Sequence, residues 1–166
     1  HEDFNEIINQ HNNHFDVIIN NAGYLINKPF LEFTKEEIHQ LYQVNVYAPI
    51  YIMQSIFPVL NKDKQTHVVN IGSMGGFQDS KKFPGLSIYS STKAALANLS
   101  ECLAQNKITI NCLALGSVQT KMLNQAFPGY KAEVSVLNIA EYIVDFSING
   151  AKYFNGKIIP VSKTTR

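Results

Sequence analysis

The chain has 166 residues, with 14 Lys+Arg against 13 Asp+Glu, two Cys and no Trp. That length fits one domain around a single core, and a net charge of +1 removes the electrostatic case for nucleic acid or an anionic membrane surface as a partner. Two cysteines, Cys102 and Cys112, exclude a disulfide-stapled mini-protein and fit a reducing compartment, while 45% apolar residues exclude a disordered chain.

Residues 2–13 repeat Phe4, Ile7, Ile8 and His11 at helical spacing, so the sequence opens at His1 in mid-helix with no start signal before it. Residues 15–20 (FDVIIN) form a β-branched run ending in Asn20, Asn21, Ala22 and Gly23, which predicts a buried strand feeding a loop. Thr34 followed by Glu37 is a capping box, opening a helical stretch over 35–60 that Pro49 should kink or break near 45–49. A second buried strand over 66–71 ends at Gly72. A loop with Gly75, Gly76, Pro84 and Gly85 follows, and then a helix over 87–106. A third strand is expected over 107–113, an amphipathic helix over 136–148 and a last strand over 157–161 after the Asn155–Gly156 turn. This alternation predicts an α/β domain, a parallel sheet with helices on both faces. The apolar window over 50–60 is broken by Gln54, Ser55 and Pro58, short of the ~18 residues a membrane span needs, and the N-terminus is too polar for a signal peptide. A cytoplasmic location is the expectation.

Tyr89-Ser90-Ser91-Thr92-Lys93 is the sharpest local feature. On a helix, residues four apart share a face, so Tyr89 and Lys93 project together. A neighbouring cation favours the phenolate and should bring a phenol from about pKa 10 toward the working range. The same spacing recurs at Tyr24/Lys28, in a loop running into Pro29, and at Tyr153/Lys157, across a turn, where neither pair stacks on a helix. Judged by spacing alone, a plain surface pair at Tyr89/Lys93 is as good a reading as a catalytic one. Ser73 after the second strand, the Asn20–Gly23 turn, and Gly116, Ser117, Val118 and Thr120 after the third would all meet at the strand C-termini, where open α/β sheets bind ligands.

Taken in order, these pieces resemble the short-chain dehydrogenases/reductases: the Asn20–Gly23 turn, Asn45-Val46, Ser73, Tyr89 with Lys93, Asn111 to Ala114 with Gly116, and Val118 with Thr120. The resemblance covers nearly the whole chain and implies a three-layer, doubly wound Rossmann-type parallel sheet. It implies an NAD(P)(H)-dependent oxidoreductase interconverting a carbonyl and a secondary alcohol, acting on a small molecule and assembling as a homodimer or homotetramer. Tyr89 would be the general acid/base, Lys93 would lower its pKa and hold the nicotinamide ribose, Ser73 would orient the substrate oxygen, and Asn45 would anchor a proton relay. Asn21, Ala22, Gly23, Gly116, Val118 and Thr120 would contact the cofactor together with Tyr89 and Lys93. NAD and NADP are not distinguished.

Two departures stand out. Leu115 replaces the family's usual Pro before Gly116, which should leave that loop less rigid. The family also opens with a glycine-rich turn that cradles the pyrophosphate, and nothing before Asn20 provides one. The clustered Gly72, Gly75 and Gly76 surround Ser73 and are not that turn. Residues 1–166 are therefore expected to be a single, N-terminally incomplete domain holding only the C-terminal strands and helices, with the 15–20 strand left as an apolar edge. The competing reading is a catalytically inactive fragment, or a non-catalytic binding or assembly module. The scattered histidines suggest no metal site, and no nucleophile elbow surrounds Ser73. Both cysteines are expected to be buried, and Tyr42, Tyr47, Tyr51 and Phe57 to lie in the core or on a subunit surface.

Overall fold

The computed structural model describes residue 6 and residues 15–60, 66–106 and 108–163. Apart from helical Glu6, the helix expected over 2–13 lies outside those residues. The sheet has four parallel strands, β1 (Val17–Asn20), β2 (His67–Ser73), β3 (Thr109–Leu115) and β4 (Ile158–Val161), side by side in that order. The register aligns Asn20 with Asn70, Ser73 with Leu115, and Leu115 with Val161, so every strand ends toward one edge. The central strands are buried on both sides, which explains why β2 and β3 read as continuous apolar runs instead of alternating ones.

The buried clusters define the layers. Val68 and Ile110 pack with Met53 and Ile56 of α2 (Ala48–Ile56) and Ala104 of α3 (Ser87–Ala104). Val69, Ile71 and Leu113 pack with Phe146 of α5 (Val136–Asn149) on the opposite face. Helices therefore cover both faces, as the sequence predicts. Along the outer edge of β1, Ile19 is 39% exposed. No described helix is long and apolar enough to cross a membrane.

Thr34 caps α1 (Lys35–Tyr42) with both arms of the predicted box: the Glu37 amide donates to the Thr34 hydroxyl, and the Thr34 amide donates to Glu37. The expected break is a π-turn over Gln43–Tyr47, after which α2 resumes with Pro49 in its first turn. Proline has no N–H, so the Asn45 carbonyl loses the donor that a regular helix would give it. Along α3, Tyr89, Thr92, Lys93, Leu96, Ala97, Ser100 and Ala104 turn inward at helical spacing. Cys102 falls on the opposite side and is exposed, so the expectation of two buried thiols holds for Cys112 only. Tyr47, at the end of the π-turn, and Tyr51 of α2 are exposed, with ring centroids 6.5 Å apart, and not in the core.

Two strand ends shift, and one helix is new. β2 runs through Ser73, which ends the strand instead of following it. β3 extends through Leu115, because a residue with an amide N–H continues the ladder where proline would stop it. The sequence signals missed a short helix, α4 (Lys121–Ala126), which Thr120 caps by accepting from the Leu123 amide. At the far end of the sheet, His67 Nδ1 lies 2.8 Å from the Ser147 carbonyl and Nε2 lies 3.0 Å from Asn111 Nδ2. Burial lowers the His67 pKa, and a neutral ring that donates through Nδ1 and accepts through Nε2 satisfies both contacts. Asn111 goes on to the Phe154 carbonyl and the Lys157 amide, which binds β3 to the start of β4. Asn111 is thus a sheet-building residue.

Candidate active site

Parallel pairing brings Ser73, the turn after Asn20 and the loop after Leu115 to the same edge, and α3 lies against that edge with its first turns. Ser73 is half-buried at the end of β2, and its hydroxyl accepts from the Gly75 amide. That hydroxyl also lies near enough to the Tyr89 phenol to pull its pKa down, and the phenol is 9% exposed against Leu41 and Leu86. Gly75 and Gly76 make this approach possible. A Cβ at Gly76 would fall 2.5 Å from the Ala94 amide nitrogen, and one at Gly75 would fall 2.8 Å from Ser90 Oγ. These glycines let a 3-10 turn (Met74–Gly76) press on α3, as a close-packing device and not a phosphate cradle.

One helical turn on, Lys93 is 4% exposed, and its Nζ donates to the Ile71 carbonyl at 2.8 Å. Burial pulls the Lys93 pKa down to about 8, opposed by its attraction to Cys112. The Cys112 thiol, pushed up to about 11 by burial, lies beneath Gly72, where a Cβ would come within 2.6 Å of its sulfur. The expected lowering of the Tyr89 pKa by Lys93 is not what the site shows. Lys93 Nζ sits 5.9 Å from the centroid of the Tyr89 ring, over its face, and burial of the phenol dominates. Burial raises the Tyr89 pKa, and the Ser73 hydroxyl pulls it back only in part.

Asn45 is fully buried, and its side chain is fully engaged. Oδ1 accepts from the Tyr24 amide, while Nδ2 donates to the Tyr24 carbonyl and to Thr92 Oγ1. The side chain thus clamps the loop after Gly23 to α3, which leaves only the Asn45 backbone, in the π-turn, outside this clamp. A Cβ at Gly23 would stand 3.6 Å from both Asn45 Oδ1 and Lys93 Nζ, and 3.9 Å from Met122 Cε of α4. Asn45, Lys93, Gly23 and the start of α4 therefore converge. Asn21 and Ala22 are exposed just before that point.

The remaining predicted positions divide. Gly116 packs against the end of β4, where a Cβ would meet Ser162 Oγ at 2.5 Å. Val118 bridges to Val134, and the Thr120 hydroxyl is occupied capping α4. Tyr24/Lys28 is no rival pair, because Lys28 Nζ holds both Glu37 carboxylate oxygens at 2.9 Å. Thr92, Met122 and the Cys112–Gly72 contact were not singled out from the sequence. Each is an apolar or hydroxyl side chain without a motif, and only the packing reveals it.

A family model for the short chain dehydrogenases matches residues 1–131. The chain belongs to the short-chain dehydrogenase family. It is 36% identical over 129 residues to an L-2,3-butanediol dehydrogenase of Corynebacterium glutamicum, aligning 75% of this chain with 47% of that one. It is 25% identical over 147 residues to an uncharacterized oxidoreductase of Staphylococcus epidermidis, aligning 86% of this chain with 63% of that one. The chain thus spans 47% and 63% of the length of these short-chain dehydrogenase relatives. Among solved structures, a blue fluorescent protein from a metagenomic library, in complex with NADPH, matches with a TM-score of 0.82 at 24% identity, over 97% of this chain and 68% of that one. A 4-hydroxyisoleucine dehydrogenase mutant complexed with NADH and succinate matches with a TM-score of 0.80 at 18% identity, over 96% of this chain and 72% of that one. The fold is the Rossmann-type sheet of the family.

Proposed function

We propose that this chain carries the substrate side of a nicotinamide-dependent oxidoreductase site that interconverts a small-molecule carbonyl and a secondary alcohol. The observation that carries this reading is the meeting of Ser73, at the C-terminal end of β2, with Tyr89 on the first turns of α3, and buried Lys93 one turn further along that helix. The cofactor, NAD or NADP, would supply the hydride when bound. Tyr89, kept protonated by burial, is in the form that donates to a carbonyl oxygen as that oxygen gains charge. Ser73 adds a second neutral donor at the same oxygen.

The residues present fit the nicotinamide-ribose end of such a cofactor. Gly23 lies beside Lys93 Nζ, where a Cβ would come to 3.6 Å from the nitrogen, and an ammonium there can donate to ribose hydroxyls. Asn21, Ala22, Gly23, Val118 and Thr120 border that position on our reading, with Gly116 shaping it through the end of β4. Asn45 would enter the proton relay through its carbonyl, since its amide is already committed. The glycines around Ser73 are spent on packing and do not form a pyrophosphate cradle. Association through α1, α2 and α3 into a homodimer or homotetramer belongs to the same proposal, supported by the exposed Tyr47 and Tyr51.

The test is calorimetric titration of NADH and NADPH into the chain. Micromolar binding of either is expected if the ribose end provides the main hold, and Lys93→Met should weaken it. The absence of heat with both would favour the second reading, a binding or assembly module without catalysis.

A further inference from the structure

We propose that Lys82 is a positioning residue whose ammonium closes the loop after β2 onto the turn Met74–Gly76 and thereby fixes the hydroxyl of Ser73. The kinetic consequence rests on the oxidoreductase reading above, and the structural one does not. Lys82 Nζ donates to the Gly75 carbonyl at 3.0 Å, to the Phe77 carbonyl at 2.5 Å and to Ser80 Oγ at 2.8 Å. An ammonium has three N–H donors, and each finds one acceptor here. Ser80 passes the contact on, because its hydroxyl donates to the Met74 carbonyl. The carbonyls of Met74, Gly75 and Phe77 therefore converge on one cation and its relay hydroxyl.

The tip of the loop carries strain that this clip holds in place. Asp79 has a φ of +60° and is the one non-glycine residue with positive φ among the described residues. Such a backbone persists where its surroundings over-determine it, and the bonds of Ser80 and Lys82 follow directly after it. Release of the clip would let Asp79 relax, so the loop has a driving force to open.

The turn can yield in one direction only. On its inner side α3 bars movement, since Gly76 already packs on the Ala94 amide and Gly75 on Ser90. On its outer side Lys82 is the barrier. Gly75 joins the two ends of the device, because its carbonyl accepts from Lys82 while its amide donates to Ser73 Oγ at 3.1 Å. That amide occupies a lone pair of Ser73 and leaves the hydroxyl proton for the substrate oxygen. The neighbouring Lys81 supplies a control of equal charge, as its Nζ lies over the Phe83 ring, 5.6 Å from the centroid.

Hydrogen exchange at the Gly75 and Phe77 amides, followed by NMR, reads the clip without any activity. Lys82→Met should speed both at least about fivefold, since losing charge-assisted hydrogen bonds is enough for that factor, and Lys81→Met should leave them unchanged. Unchanged exchange in Lys82→Met overturns the proposal, and so does equal acceleration by Lys81→Met. In ketone reduction, Lys82→Met should lower kcat about tenfold with KM within about twofold, because Ser73 matters most as charge develops on the substrate oxygen. Added to Ser73→Ala, the same substitution should cost less than about twofold more, as expected of residues that act as one unit. Wild-type kcat in Lys82→Met, or its full loss repeated in the Ser73→Ala background, overturns the positioning role. If the wild-type chain reduces no ketone, the oxidoreductase reading fails, while exchange at Gly75 still decides whether Lys82 holds the group that bonds Ser73.

Discussion

On the proposed oxidoreductase reading, Tyr89→Phe is expected to lower ketone reduction by about 10²–10⁴-fold and to leave the affinity for NADH or NADPH nearly unchanged, which steady-state rates beside calorimetry would check. The substitution removes only the hydroxyl. The ring keeps its place against Leu41 and Leu86, so the site should remain folded. Direction and pH sharpen the expectation. Because burial raises the Tyr89 pKa, the phenol stays protonated through neutral pH, which favours reduction. Alcohol oxidation needs the phenolate, so its rate should climb as the medium becomes alkaline. In the phenylalanine variant that climb should vanish, and a variant retaining wild-type turnover would remove Tyr89 from the reaction.

Lys93→Met should abolish measurable turnover and also change how stability depends on pH. The native pKa of Lys93 is about 8, against an ordinary value of 10.5, because the ammonium is buried. Between those values the unfolded chain holds a proton that the native chain has released, so this group makes stability rise with pH. Below pH 8 both states hold the proton, and the full cost of burying the charge remains. From pH 7 to above 10.5, wild type should therefore gain up to about 3 kcal/mol relative to Lys93→Met, at about 1.36 kcal/mol per pKa unit. Cys112, raised to about 11, titrates the opposite way, and because Lys93 holds that thiol's pKa down, Lys93→Met lets it rise further and widens the difference between the two proteins. Urea unfolding of both chains at neutral and alkaline pH gives the answer. Parallel profiles would mean that Lys93 is not held as a costly, function-directed charge.

The sequence made the sheet legible because burial on both faces leaves a simple record in unbroken β-branched runs, and the capping box at Thr34 and Glu37 fixes one helix start to the residue. Site positions were legible through spacing and motif order together. Tyr89/Lys93 differs from Tyr24/Lys28 in lying on a helix, and the structure adds that Lys28 is claimed by Glu37. What stayed hidden depends on contacts between distant segments. No pattern along the chain shows that Asn27 will meet Ala126, or that Gly85 must make room for it. The role of Asn45 also changes with its surroundings: its type and position pointed to a relay, yet three hydrogen bonds turn its side chain into a clamp. Environment likewise reverses the Tyr89 expectation. A nearby cation argues for a lower pKa, but desolvation outweighs a charge lying over the ring instead of beside the oxygen.

Transfer of a label from cofactor to product tests the central claim most directly. The chain is incubated with NADH or NADPH deuterated at the transferable position and a panel of small uncharged ketones, and the alcohols are examined by mass spectrometry. Deuterium on the carbinol carbon, absent when Tyr89 is replaced by Phe, is the expected result. Cofactor that binds at the Lys93 site but leaves every ketone unreduced would contradict it.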